Sequence, residues 1–404
     1  GESLDQSVGL FIDGVWAGRI REFQASLFDV ERIEVIKGTQ TSLLGKNTSL
    51  GAISILSRRP EAENGGYLQG DYEFEFDSTY ATGAANLATD FGNYRLAFNV
   101  VDEEGYVDNR TTGNEVPERE QTTVRLSADY DIGDNGQLLL SYQYDDLEIK
   151  GDTFQPDNDS EGYIAEMDPT ADIGIDQTKN AFSSFSNSGD ADDEQDSHRA
   201  ILQYDHTLGE HQLTALSGWS KYDNDRLTDS DFLSVDYLTT TYDSDYEQFS
   251  QELRVASPLA RRLEYVAGLY YLDSDMEYSN LTDTAFPDPF TLGGLPLDGA
   301  NLKNYDQDTE VWSLFGQGTV SLTDRWRVTL GLRYTDEEKD VTWERIRTRE
   351  GRPGSEILAN LLAPEVPATD LTRSEDNLDG SINLEYDITW EIIGFASWAR
   401  GSKS

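Results

Sequence analysis

The sequence predicts an all-β protein: an up-and-down antiparallel β-barrel of the transmembrane kind, incomplete at about 13 strands, preceded by a small α+β unit. Three observations carry this reading. From Gly66 onward, segment after segment alternates polar and apolar residues with a period of two, so each strand presents one face of each kind. Short turns alternate with long polar loops, as expected when one set of connections lies on each side of a membrane. Aromatic residues, among them Tyr94, Tyr130, Trp326, Tyr386 and Trp390, stand beside the short turns, where an interfacial girdle belongs. A soluble β-sandwich or propeller also alternates, but these strands often exceed the usual five or six residues and the long loops fall mainly on one side.

The opening unit spans residues 1–60. Leu10 to Ile12 reads as a strand entering an Asp13-Gly14 turn, a dipeptide suited to positive φ. Asp29, Glu31, Arg32, Glu34 and Lys37 read as a charged helical turn stopped at Gly38. A Gly45 to Gly51 turn then leads into a short apolar strand, Ala52 to Leu56, closed by Arg58, Arg59 and Pro60.

Strands are then expected at about 66–76, 79–89, 94–104, 120–131, 137–149, 197–208, 211–225, 246–257, 262–277, 309–322, 326–341, 378–387 and 391–403. The fourth sets Thr123, Arg125, Ser127 and Asp129 against Val124, Leu126, Ala128 and Tyr130. The eleventh sets Trp326, Val328, Leu330, Leu332 and Tyr334 against Arg327, Thr329, Gly331, Arg333 and Thr335. The long loops are 105–119, 150–196, 226–245, 278–308 and 342–377.

A formal charge of −46 and a pI near 4.1 exclude a nucleic-acid binder, because neutralising phosphates needs Lys and Arg clusters. The absence of cysteine removes disulfides and thiolate metal sites. No run of about 18 apolar residues exists, so no transmembrane helix is expected. The mean hydropathy of −0.59 is compatible with a barrel that shows lipid only every second residue. The chain does not begin with Met and stops directly after a predicted strand, so it reads as an internal fragment.

Enzyme signals are poor: there is no G-x-S-x-G elbow, and Gly38 to Lys46 fails the phosphate-loop spacing, with Asn47 after the Lys. His198, His206 and His211 gather near one hairpin, either as a metal cluster or as ordinary polar residues. Asp157, Asp159, Glu161 and Asp168, with Gly162 between them, follow the spacing of a calcium loop. The alternative is a solvated acidic loop; otherwise no tightly bound cofactor is expected.

Four pieces in order, F-I-D-G-V (Phe11 to Val15), D-V-E-R-I-E-V-I-K-G (Asp29 to Gly38), L-G-K-N-T (Leu44 to Thr48) and G-A-I-S-I with R-R-P (Gly51 to Pro60), closely resemble the second half of the plug domain of TonB-dependent outer-membrane receptors. The resemblance implies a plug half over 1–62 and the N-terminal part of a barrel over 63–404, about 13 strands of the roughly 22 in such transporters. It implies residence in the outer membrane of a Gram-negative bacterium, in contact with its lipid. It also implies energy-coupled uptake of a scarce nutrient, most often a ferric siderophore, with the TonB–ExbB–ExbD complex acting on a TonB box upstream of Gly1. Alternatives are a passive porin, a receptor for cobalamin or glycans, a signalling receptor and, more remotely, an outer-membrane hydrolase.

By the same resemblance Trp16, Gly18, Arg19 and Phe28 match the plug apices that meet substrate, an aromatic and an Arg suiting a flat anionic chelate. Trp16 and Phe28 equally suit plain packing. Glu31, Arg32, Glu34 and Lys37 either decorate a solvated turn or, as the resemblance implies, lock the plug to lumenal partners such as Arg125, Glu252, Arg254, Arg333 or Glu385.

Overall fold

Val8–Ile12 (β1) runs antiparallel to Val15–Trp16 (β2) across the Asp13-Gly14 turn, whose φ angles of 51° and 85° are those the dipeptide accepts readily. The structure, a computed structural model, describes residues 6–22, 27–39, 41–45, 47–109, 111–152, 162, 167–168, 185–186, 191–287, 291–292 and 294–402. Val30–Lys37 (β3) and Gly51–Ser57 (β4) complete a four-stranded sheet in the order β2-β1-β4-β3. Its core is Leu10, Ile12, Ala17 and Ile55. The Asp13 carboxylate accepts from Ser57 N at 2.6 Å, pinning the turn to the end of β4.

One element differs from the sequence reading. The charged run is a strand, β3, and not a helical turn: Val30, Ile33, Val35 and Ile36 are β-branched, and β4 offers an edge to pair with. The helical turn falls later, at Thr41–Leu44, between Gly38 (φ 82°) and Gly45 (φ 91°).

The remaining strands are Gly65–Glu73 (β5), Ser78–Thr89 (β6), Gly92–Glu103 (β7), the short Val107–Asn109 (β8) and Glu115–Val116 (β9), Glu118–Ile132 (β10) and Gly136–Lys150 (β11). They continue as the short Phe185–Ser186 (β12), Asp192–Leu208 (β13), His211–Asp229 (β14), Leu238–Ala256 (β15), Leu263–Ala285 (β16), the short Thr291–Leu292 (β17) and Leu295–Pro296 (β18), Asp298–Ser321 (β19), Trp326–Arg349 (β20), Val366–Asp387 (β21) and Ile393–Arg400 (β22). Thirteen of them form one antiparallel wall in sequence order, with β5 and β22 at its two edges. Among the described residues no helix is long and apolar enough to cross a membrane.

The wall is apolar outside and polar inside. Leu126, Leu253, Leu269, Trp312, Leu314, Leu330 and Ile382 stand exposed on its outer surface. Arg125, Gln143, Ser220, Gln248, Ser313 and Arg333 are buried on the face that holds the small sheet. This inversion of the soluble pattern is what a lipid-facing band requires.

Every predicted wall strand is present, but several run further toward the long-loop end than the periodicity indicates. β16 reaches Ala285, β19 starts at Asp298, β20 reaches Arg349 and β21 starts at Val366. Beyond the apolar band polar residues appear on both faces of these strands, with only scattered apolar ones such as Leu281, Leu302 and Ile346. The ladder therefore continues where the hydropathy signal has stopped. A helix, Ser355–Leu362, occupies the shortened β20–β21 connection.

Candidate ligand-binding site and plug clamp

The plug chain touches the wall at a few buried places. Asp29, in positive φ at 45°, receives Arg95 of β7, with Nε 2.7 Å from Oδ2; both side chains are almost wholly buried. Arg125 of β10 donates to the Phe28 carbonyl at 2.8 Å and lies 4.3 Å from the centre of the Phe28 ring. Phe28 itself packs against Ala84 and Ala97. Two wall arginines thus grip one dipeptide.

A second grip holds Glu22. Ser220 donates to its carboxylate and Arg199 Nη2 donates to its carbonyl at 2.9 Å. Burial raises the Glu22 pKa, opposed by Arg199 and by the bond from Ser220. Gln248 donates to the Trp16 carbonyl at 2.7 Å, and Ser42 meets Ser381 at 3.1 Å.

The four residues expected to lock the plug do otherwise. Arg32 pairs with Glu31 at 2.8 Å and Glu34 at 2.6 Å on an exposed strand edge, and Lys37 is exposed at its end. Bonds to the wall are made instead by Asp29, Phe28, Glu22, Arg21, Trp16 and Ser42, among others. The reason is position: β3 is the edge strand of the small sheet and both of its faces are largely exposed, whereas the bend before it turns Phe28 and Asp29 into the wall.

On the long-loop side the plug and strands β14–β16 enclose a cavity of about 410 Å³. Gly18, Arg19 and Arg21 line it from the plug; Tyr222, Asn224, Arg226, Tyr242 and Tyr278 line it from the wall. Arg19 lies over the buried Tyr246 ring at 5.4 Å. Arg21 and Arg226 share the Asp193 carboxylate, at 3.2 and 4.0 Å. Gln6 also lines the cavity, its Nε2 buried without a hydrogen-bond partner among the described residues. The described lining therefore carries three guanidinium groups, three phenols and no carboxylate.

That is notable in a chain with 77 acidic and 31 basic residues, and strand parity explains it. Side chains in register with Ser220 and Gln248 face inward; their neighbours face outward. Asp146, Asp196, Asp223, Asp245, Glu277 and Asp306 stand opposite one another across six consecutive wall strands, all on the outer face. Arg226, Lys303 and Arg345 fall on the inner face. This acidic row is outside the wall, and these three basic groups are inside it.

Of the expected apex residues, Gly18 and Arg19 line this cavity. Trp16 lines a different one, of about 350 Å³ nearer the short turns, together with Glu34, Glu252, Arg254 and Arg333. Phe28 lines neither and is buried under Arg125. Of the calcium-like set, Asp157, Asp159 and Glu161 lie outside the described residues; Asp168 is buried and accepts from Ser234 N at 3.0 Å. The histidines do not converge: His198 stacks with Tyr142 and Trp219, His206 with Tyr204, and His211 meets Tyr265.

A polar-lined β-wall gripping a small plug defines the plugged class of membrane barrel. The family model for TonB dependent receptor-like β-barrels matches residues 155–404, and the chain belongs to that family. Its fold is similar to the ferric yersiniabactin uptake receptor FyuA from Yersinia pestis (TM-score 0.78, 18% identity, 98% of this chain and 56% of that one). It is also similar to the siderophore receptor PiuA from Acinetobacter baumannii (0.70, 17%, 98% and 57%) and to the open form of the ferric-catecholate import receptor Fiu from E. coli K12 (0.69, 16%, 99% and 63%). The chain spans a little over half the length of these structures.

Proposed function

We propose that the chain is part of a TonB-dependent transporter of a Gram-negative outer membrane, that its ligand is a ferric siderophore, and that the ligand docks in the cavity above Arg19. The observation that carries this is the cavity lining: Arg19, Arg21 and Arg226 beside Tyr222, Tyr242 and Tyr278, with the row of acids at the same height of the wall turned to the outer face. Guanidinium groups pair with an anionic chelate in a planar, two-pronged way, and phenol rings stack on its flat parts. Field lines from inward cations would concentrate such a ligand within the wall, while water and salt screen the outward acids within about 8–10 Å.

In this reading residues 1–62 form the C-terminal half of the plug and 63–404 the N-terminal part of the barrel. The TonB–ExbB–ExbD complex pulls on a TonB box upstream of Gly1, and the buried grips at Asp29 and Glu22 are what the pull must release. The similar folds of a ferric yersiniabactin uptake receptor and a ferric-catecholate import receptor support the substrate class. A passive porin needs no clamp of the kind Arg95 makes on Asp29. The test is binding of a panel of ferric chelates to the purified complete receptor: one chelate binds saturably, and Arg19→Ala with Arg226→Ala weakens it by about tenfold or more, the loss of one charge-assisted bond. Equal binding by the double variant would overturn the placement of the ligand.

A further inference from the structure

The described structure holds a third inward cavity, of about 280 Å³, on the long-loop side beyond the plug apex. Its floor is the inner face of β16, β19 and β20, and its roof is the helix Ser355–Leu362. The roof is fastened at its start. Arg349 reaches Asp298 at 2.8 Å and Asp283 at 2.6 Å, while Asp298 also accepts from Arg352, from N at 2.9 Å and Nε at 3.3 Å. The clasp ties the loop to the ends of β16 and β19, and Leu358 points down, 5% exposed.

The floor carries two cations, Lys303 and Arg345, side by side in register on β19 and β20. Among the described residues neither has a carboxylate within 4.0 Å; Lys303 instead lies 5.7 Å from the Tyr278 and Tyr305 rings. With more than two acids for every base in the chain, an inward pair of cations without an acidic partner is a pair kept for something else. Next to them Asn301 Oδ1 is buried with no hydrogen-bond donor, an orphan acceptor of the kind that a folded chain normally satisfies.

The geometry points to a binding site for a hydroxylated organic anion: a carboxylate or phenolate on Lys303 and Arg345, a neighbouring hydroxyl donating to Asn301 Oδ1, and an apolar ring or chain under Leu358. The volume suits a single-ring acid and not a whole chelate. The site is separate from the cavity above Arg19 and stands whether or not that one takes a ferric chelate. Tyr278 lines the apex cavity and contacts Lys303, so the two are neighbours along the same inner wall.

The test uses salicylate, followed by its own fluorescence, with the complete receptor in detergent. Saturable binding is expected with Kd below roughly 1 mM, weakened at least about tenfold in Lys303→Ala/Arg345→Ala and by the same factor when uncharged salicylamide replaces salicylate. Lys303→Arg retains binding, and Arg19→Ala/Arg226→Ala leaves it within about twofold, which separates this site from the apex reading. Absence of saturable binding, binding indifferent to the Lys303 and Arg345 variants, or binding lost with Arg19 and Arg226 would each overturn the proposal.

Discussion

Arg95→Ala tests the clamp that holds the plug. The substitution leaves the Asp29 carboxylate, almost wholly buried, with only the long contact from Tyr67 Oη at 3.4 Å among its side-chain bonds. Breaking a buried pair from one side costs about 3–5 kcal/mol, because the remaining charge stays in a poor solvent. The lower figure corresponds to a shift on the order of 100-fold in the equilibrium between seated and released plug. Hydrogen exchange of the amides of β3 and β4 in the complete receptor reads that equilibrium directly. Protection in these strands is expected to fall by about that factor in Arg95→Ala. It should recover in large part in Asp29→Asn/Arg95→Met, where no buried charge is left alone. A single variant within about threefold of the parent would refute the assignment of the clamp to this pair.

Three further outcomes follow from the same geometry. Replacing Glu31, Arg32, Glu34 and Lys37 together by alanine should change plug protection by less than about 1 kcal/mol, as expected of exposed pairs, with calorimetric unfolding as a second reading. Gly18→Ala should loosen the plug apex, since a Cβ there would collide with the buried Tyr246 hydroxyl; weaker ligand binding without loss of the Asp29 clamp is the expected signature. In the outer turn, burial and the nearby Asp229 raise Asp231 to about 6 from 3.8, even though it accepts from the amides of Leu233, Tyr237 and Leu238. The folded turn then binds more protons than the open one between about pH 4 and 6, so its stability falls as pH rises through that window. Asp231→Asn should remove the dependence, measured by exchange of the same three amides.

The wall was legible because its mid-sections must satisfy two solvents at once. Residues such as Leu330 and Arg333 cannot exchange faces, and that necessity writes a period of two into the sequence. Where the strands leave the lipid the necessity ends, and several of the residues that line the candidate site lie there. Arg226 falls one position beyond the predicted strand 211–225, Tyr242 before 246 and Tyr278 just after 277. Extending the parity of Ser220 through Tyr222, Asn224 and Arg226 would have found one side of the cavity. The plug is legible in its motif and the clamp is not, because the bend that turns Phe28 and Asp29 into the wall depends on partners some 66 and 97 residues away. β3 departs from the expectation for a simpler reason: its charges suit an exposed helical turn, but Val30, Ile33, Val35 and Ile36 favour an extended strand.

Admission of a ferric chelate through this wall and plug under TonB control can be read from uptake of labelled iron by cells carrying the complete gene. One chelate of a panel is expected to be taken up only when the TonB system is functional, and Arg19→Ala/Arg226→Ala to lower uptake at limiting chelate while protein level is unchanged. Uptake that persists without TonB, or an absence of TonB-dependent uptake for every iron chelate, would contradict it.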